Sequence, residues 1–138
     1  YFRPRGNPTK IINGLLQHFS RLRDEDVSVK EYLVFAAKEL TKAKDKETKT
    51  EAKKTQELAR AYQAYEELKI KEELMDFSDL IVYTLKLFRT RKNVLKSYQK
   101  QFKYFLVDEY QDTNIAQNEL VILLAGKKAN LTVVSDDD

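Results

Sequence analysis

The sequence predicts a mainly α-helical chain that ends in a small parallel β element. Three observations carry that expectation. Gly and Pro are scarce, at three and two residues of 138, which favours long helices over a many-turned β fold. Apolar residues recur at helical spacing from Ile12 to Tyr98. At Lys103 the pattern changes, and two short apolar runs, 104–107 and 131–134, flank one further helical segment.

Each element has a local cause. Asn7-Pro8 predicts a helix start, with a capping Asn and Pro in the first turn. Ile12, Leu15, Leu16, Phe19 and Leu22 form its apolar stripe. Ser28-Val29-Lys30-Glu31 reads as a capping box, with Tyr32, Phe35, Ala36 and Leu40 behind it. Residues 42–56 are almost wholly polar and alternate in charge. They are expected to be a solvated, frayed stretch leading into a helix whose stripe resumes at Leu58, Ala61, Tyr62, Tyr65 and Leu68. That spacing predicts core packing for Tyr62 and Tyr65 rather than stacking on bases. Asp76 is a cap for the next helix, with Asp79 in its first turn and Phe77, Leu80, Ile81, Thr84, Leu85 and Phe88 as its apolar surface. A shorter helix carries Val94, Leu95 and Tyr98.

The C-terminal part has a different organisation. Tyr104-Phe105-Leu106-Val107 is aromatic and branched, as in a strand buried on both faces. Asn114-Ile115-Ala116-Gln117 is another capping box, opening a helix with Leu120, Val121, Leu123 and Leu124 that Gly126 closes. Leu131-Thr132-Val133-Val134 is a second short strand. The three make a βαβ unit with a right-handed crossover. A boundary is therefore expected near residue 102, dividing a helical domain, 1–102, from a partial α/β domain, 103–138.

Composition removes several function classes. With no Cys and a lone His18, neither a disulfide framework nor a thiolate metal centre is possible. No apolar run approaches the roughly 18 residues of a membrane span. Residues 1–6 lack the apolar stretch of a signal peptide, and the absence of an initiator Met suggests an excised fragment. The net charge of +3 is unevenly placed. Residues 1–102 hold 22 Lys and Arg against 15 Asp and Glu, or +7, while residues 103–138 hold 3 against 7, or −4. The first part suits a polyanion and the second a cation.

Asp108 and Glu109 follow the first strand directly. A strand places such acids at the carboxyl edge of a parallel sheet, where ligands bind in these folds. The first acid can hold Mg²⁺ through its waters, and the second can orient and deprotonate an attacking water. Phosphoryl transfer needs both. Taken alone, the string also reads as a strand end entering a turn, with Gln111 a surface amide and Asp112 a helix-approach residue.

The string Val107-Asp108-Glu109-Tyr110-Gln111-Asp112-Thr113-Asn114, with Gln117 three residues on, resembles motif II, the Walker B element, of UvrD/Rep-type superfamily 1 DNA helicases. Three further stretches agree in order. Tyr62-Gln63-Ala64-Tyr65 with Met75-Asp76-Phe77-Ser78-Asp79-Leu80-Ile81 is similar to the helical approach to motif II, and residues 98–105 to its lead-in. Val133-Val134-Ser135-Asp136-Asp137-Asp138 resembles the start of motif III, with Ser135 where the family usually has Gly. Residues 58–138 carry the resemblance, and residues 1–57 match only in helix content and position.

The resemblance implies that residues 1–102 are a helical insert (subdomain 1B) and residues 103–138 part of RecA-like domain 1A, a P-loop NTPase sheet. It implies ATP and Mg²⁺ as nucleotide and cofactor of the full-length protein, with Asp108 in the magnesium-binding position and Glu109 in the general-base position. Gln111 and Asp112 would link the nucleotide site to neighbouring motifs, and Asp136 to Asp138 fall in motif III. No G-x-x-x-x-G-K-[ST] occurs, and Gly126-Lys127 lacks the earlier Gly and the following Ser or Thr. The fragment alone is thus expected to be inactive, with no bound cofactor.

The implied partner is DNA, single strand and duplex junction, contacted without sequence preference and unwound 3′ to 5′. Arg3, Arg5, Lys10, Arg21, Arg23, Arg89, Arg91 and Lys92 are the candidate phosphate contacts, although each also reads as a solvated helix face. A cytoplasmic, nucleoid-associated location follows from the same resemblance. Unpaired strand edges make self-association of the fragment an expectation. Two alternatives stay open: a non-catalytic helical module binding DNA or protein with a degenerate motor remnant, and a subunit of a helicase-nuclease.

Overall fold

The computed structural model describes residues 8–128 and 130–136. It is mainly α, with six helices and a two-stranded parallel sheet. The chain forms two compact units, one holding residues 1–23 and 27–75 and the other residues 24–26 and 76–138.

The first unit contains most of α1 (Pro8–Asp24), all of α2 (Val29–Lys42) and all of α3 (Lys46–Lys71). Pro8 stands at the first helical position as expected, while its proposed cap Asn7 lies outside the described residues. Ser28 starts α2 with a complete capping box, accepting from Glu31 N and receiving the Glu31 side chain on its own N–H. The polar stretch 42–56 is helical from Lys46 onward, because Asp45 and Thr48 form a further capping box. Its Asp45 carboxyl is held below its ordinary range by the hydrogen bonds from Thr48.

Phe19, Tyr32, Ala36, Ala59 and Tyr62 make the core, flanked by Leu15, Leu22, Leu58 and Tyr65. Phe19 stacks on Tyr62 at 5.2 Å and on Tyr65 at 5.5 Å between ring centres. Tyr62 is therefore a packing residue, and its buried ring has no face open to a base. His18 Nε2 and the Tyr32 hydroxyl lie 2.9 Å apart at the edge of this cluster.

The second unit is built from α4 (Phe77–Thr90), α5 (Lys92–Gln101), β1 (Phe105–Val107), α6 (Ile115–Ala125) and β2 (Leu131–Val133). Asp76 and Asp79 cap α4 reciprocally at 2.8 and 2.9 Å. Asn114 and Gln117 do the same for α6 at 2.8 and 3.0 Å. Leu85, Phe88, Leu95 and Ala116 bury the faces where α4, α5 and α6 meet. Gly126 ends α6 at φ 62 and ψ −164, a backbone region essentially closed to other residues.

α4 and α5 pack with α6, so the compact units divide at residues 75 and 76. The change of sequence pattern near residue 102 marks the switch from helix to strand inside the second unit. One expectation changes. The strand read as buried on both faces is open: Leu106 is 79% exposed. Nothing among the described residues covers that face of the two-stranded sheet.

Candidate functional site

Residues 105, 106 and 107 pair in parallel register with 131, 132 and 133. Phe105 N donates to Asn130 O at 2.9 Å, and Asn130 Nδ2 donates to Lys103 O at 3.0 Å, which fixes where the sheet begins. At the other end Val134 N donates to Val107 O at 2.8 Å. Asp108 and Glu109 leave the sheet immediately after that bond, and both are exposed. They stand at the carboxyl end of a parallel strand, the edge at which such sheets bind ligands.

Glu109 adopts φ 50 and ψ 45, the left-handed region, which is uncommon for a residue with a side chain. Its neighbours hold it there. Tyr110 N donates to Val134 O at 2.9 Å, and Asp112 N donates to Glu109 O at 2.9 Å. The short 3₁₀ turn Tyr110–Asp112 is then anchored by the Tyr110 hydroxyl on Asn118 Oδ1 at 2.6 Å and by Thr113 Oγ1 on Tyr110 O at 2.7 Å. Strained residues of this kind concentrate at functional sites.

The polar contacts of the pair are few and directed. Asp108 Oδ1 accepts from Glu109 N at 3.1 Å. Glu109 Oε2 accepts from Gln111 Nε2 at 2.7 Å, and Gln111 Oε1 accepts from Asp136 N at 3.2 Å. One amide thus joins the second acid to the segment leaving β2. Asp112 is exposed at the end of the turn. Asp137 and Asp138 lie outside the described residues.

The donor set fits a hydrated magnesium ion. Among the described residues no three carboxylate or imidazole groups cluster as ligands. Asp108 offers one exposed carboxylate, and Mg²⁺ is commonly held by one or two carboxylates while keeping several waters and phosphate oxygens.

The candidate phosphate contacts separate into groups. Lys10, Arg21, Arg91 and Lys92 are exposed. Arg3 and Arg5 lie outside the described residues. Arg23 is corrected: it is 3% exposed and its guanidinium pairs with Glu66, whose other oxygen meets Lys69 Nζ at 3.1 Å. Arg89 is also committed, to Asp26 at 2.6 Å and Glu119 at 3.3 Å. These carboxylates raise its pKa against the opposing effect of burial, the largest single influence on it. Sequence reasoning missed Asp24, which accepts from Asn114 Nδ2 at 2.9 Å across 90 positions, and Asn118 beneath Tyr110. Asn118 lies one helical turn beyond the cap Asn114 and was within reach of a spacing argument, whereas Asp24 carried no local signal.

Fold and site together define a mainly helical chain carrying part of a RecA-like parallel sheet, with paired acids at its carboxyl edge. The chain belongs to the UvrD/REP helicase N-terminal domain family, whose model matches residues 8–138. It is 49% identical over 84 residues to the ATP-dependent DNA helicase PcrA of Staphylococcus aureus (strain Mu50 / ATCC 700699), covering 61% of this chain and 12% of that protein. Against PcrA of Leuconostoc citreum the identity is 48% over 81 residues, covering 59% and 11%. The chain thus matches only about an eighth of the length of these relatives.

Proposed function

We propose that this chain is part of an ATP-dependent DNA helicase or translocase, contributing motif II and a helical subdomain that contacts the duplex. One observation carries the reading: two adjacent exposed acids at the carboxyl end of a parallel strand, the second held in a left-handed conformation. The family and the PcrA relatives support it. In this reading residues 1–102 correspond to an insert like subdomain 1B and residues 103–138 to part of domain 1A. The intact acid pair Asp108-Glu109 favours the motor reading over a non-catalytic module, since a degenerate remnant need not keep both acids.

The chemistry follows from the positions. Magnesium bound with ATP would supply charge neutralisation on the phosphates, and Asp108 would hold it with the carboxylate oxygen that does not accept from Glu109 N. Glu109 keeps Oε1 for the attacking water and takes its proton, while Gln111 holds Oε2. The resulting hydroxide attacks the terminal phosphorus and ADP leaves, in line with the attack. Gln111 and Asp112 position this site, and Gln111 ties it to the motif III segment. The chain contains no phosphate loop, so the fragment by itself hydrolyses no ATP.

The partner is DNA, contacted through phosphates, with Lys10, Arg21, Arg91 and Lys92 as the accessible candidates. No helix of the described residues is long and apolar enough to cross a membrane, and the proposed place of action is the cytoplasm, on the nucleoid. The bare sheet face at Leu106 favours self-association of the fragment at high concentration. The test is ATP hydrolysis by the full-length protein with and without single-stranded DNA, and displacement of strands from duplexes with 3′ or 5′ tails. DNA-stimulated hydrolysis and 3′-tail preference support the reading. No hydrolysis in either condition contradicts it.

A further inference from the structure

Residues 80–107 contain seven Lys and Arg and no Asp or Glu. Of these seven, Arg89 alone is ion-paired among the described residues. Elsewhere the charges alternate: in α2 Lys42 pairs with Glu39 at 3.0 Å, and in α3 Lys54 pairs with Glu51 at 2.6 Å. Apart from Arg89, the cations of the acid-free segment are thus a local excess that no carboxylate among the described residues pairs.

The excess is ordered by α5. Lys92, Lys96 and Lys100 occupy successive turns at i, i+4 and i+8, all exposed, with Leu95 buried on another side of the helix. They make one stripe about 12 Å long at 1.5 Å rise per residue. One strand of B-form DNA passes roughly three to four phosphates over that distance. Lys100 stands in the last turn, where the macrodipole favours a cation, but Lys92 stands in the first turn, where it disfavours one, and Arg91 at the cap position makes no side-chain capping bond. Three like charges at i, i+4 spacing also repel. A stripe of three cations that repel one another and lack ion-pair partners among the described residues is matched in charge and length to an external polyanion.

We infer that the Lys92–Lys96–Lys100 stripe of α5 is a contact surface for the phosphate backbone of a nucleic acid, read without base specificity. Its choice of polyanion rests on the DNA reading above, but its chemistry is independent of ATP hydrolysis. Lysine ammonium groups on flexible stems suit a backbone whose phosphates vary in position, and each neutralised phosphate releases condensed counterions.

The experiment titrates the purified chain into fluorescent DNA, single-stranded and duplex, from low to moderate salt. It compares wild type with Lys92→Gln/Lys96→Gln/Lys100→Gln. The control, Lys44→Gln/Lys49→Gln/Lys53→Gln, removes the same charge from the interleaved region. Circular dichroism checks that helix content is kept, as expected because Gln is a good helix former. For the α5 variant the expected result is an affinity loss of about tenfold or more at low salt. The slope of log K against log salt should flatten by roughly two to three, since each phosphate contact adds about 0.7 to 0.9. The control should lose much less in both. Should α5 lose helix content, Lys96→Gln/Lys100→Gln is used instead, with a proportionally smaller expected change. An unchanged slope in the α5 variant, equal losses in the control, or no DNA binding by the wild type at low salt overturns the inference. So does binding of the wild type to anionic lipid vesicles but not to DNA. The motor reading is untouched by any of these results, because it stands or falls on ATP turnover by the full-length protein.

Discussion

Gln111 and Glu109 are joined by a 2.7 Å hydrogen bond from the Gln111 Nε2 to the Glu109 Oε2, two residues apart on a turn that begins in the left-handed region. The same Gln111 accepts from the backbone N–H of Asp136 at 3.2 Å. A single side chain therefore fixes one oxygen of the proposed base and links it to the segment leaving β2. Replacing Gln111 by Ala in the full-length protein should lower kcat for ATP by about tenfold, equivalent to roughly 1.4 kcal/mol of barrier. KM for ATP should change little, because Gln111 orients the base without holding the nucleotide. Steady-state kinetics checks this, and a rise in KM with kcat intact would assign Gln111 to binding.

Gly126 provides a prediction on stability. Its φ of 62 with ψ −164 suits glycine alone, and a Cβ there would stand 2.9 Å from Gln99 Nε2. That amide already donates to Leu123 O at 2.7 Å, tying α5 to the end of α6. Gly126→Ala should cost about 1–3 kcal/mol of unfolding free energy, from backbone strain and displacement of Gln99. Urea denaturation checks it, and an unchanged midpoint would mean the turn relaxes freely.

Asn114 does two jobs, capping α6 and donating to Asp24. Asn114→Ala should cost about 1 kcal/mol or somewhat more, the usual penalty for a lost cap plus the second bond. Asp24→Ala should cost less, and the double variant less than the sum of the two. Strict additivity in denaturant melts would show that the 2.9 Å contact contributes nothing.

His18 gives the first unit a pH dependence. Burial, and then the positive charge of Arg21, lower its pKa from the ordinary 6.5. Protonation is therefore disfavoured in the folded state. Stability attached to neutral His18 is fully present above about pH 6.5 and falls as pH drops from there through the lower folded-state value. Melting temperature should decline on acidification through this window, and His18→Gln should flatten the decline. A His18→Gln variant with the same slope as wild type would locate the titration elsewhere.

Much of the fold was legible because its signals are local. The boxes at Ser28 and Asn114 and the cap at Asp76 each set a helix start, and Gly126 set a helix end. The acid pair Asp108-Glu109 was legible as a sheet-edge pair because the strand before it is short and apolar. What was not legible depends on distant partners. Arg23 finds Glu66 43 positions away, so its burial has no local cue. Arg89 meets Asp26 and Glu119, residues 63 positions before it and 30 after it in sequence. The left-handed turn at Glu109 follows from Tyr110 N reaching Val134 O, a contact that exists only once β2 lies beside β1. The exposure of Leu106 was missed because an apolar run reports what a strand is suited to contact, not what is present to contact it.

Turnover of ATP by the full-length protein carrying Glu109→Gln, measured beside its nucleotide affinity, tests the central assignment most directly. Removal of the proton acceptor with its shape kept should lower hydrolysis by at least about a hundredfold, the scale of general-base catalysis. Affinity for ATP with magnesium should stay within a few-fold of wild type. Hydrolysis at the wild-type rate would contradict the account, because the acid delivered by β1 would then have no part in the reaction.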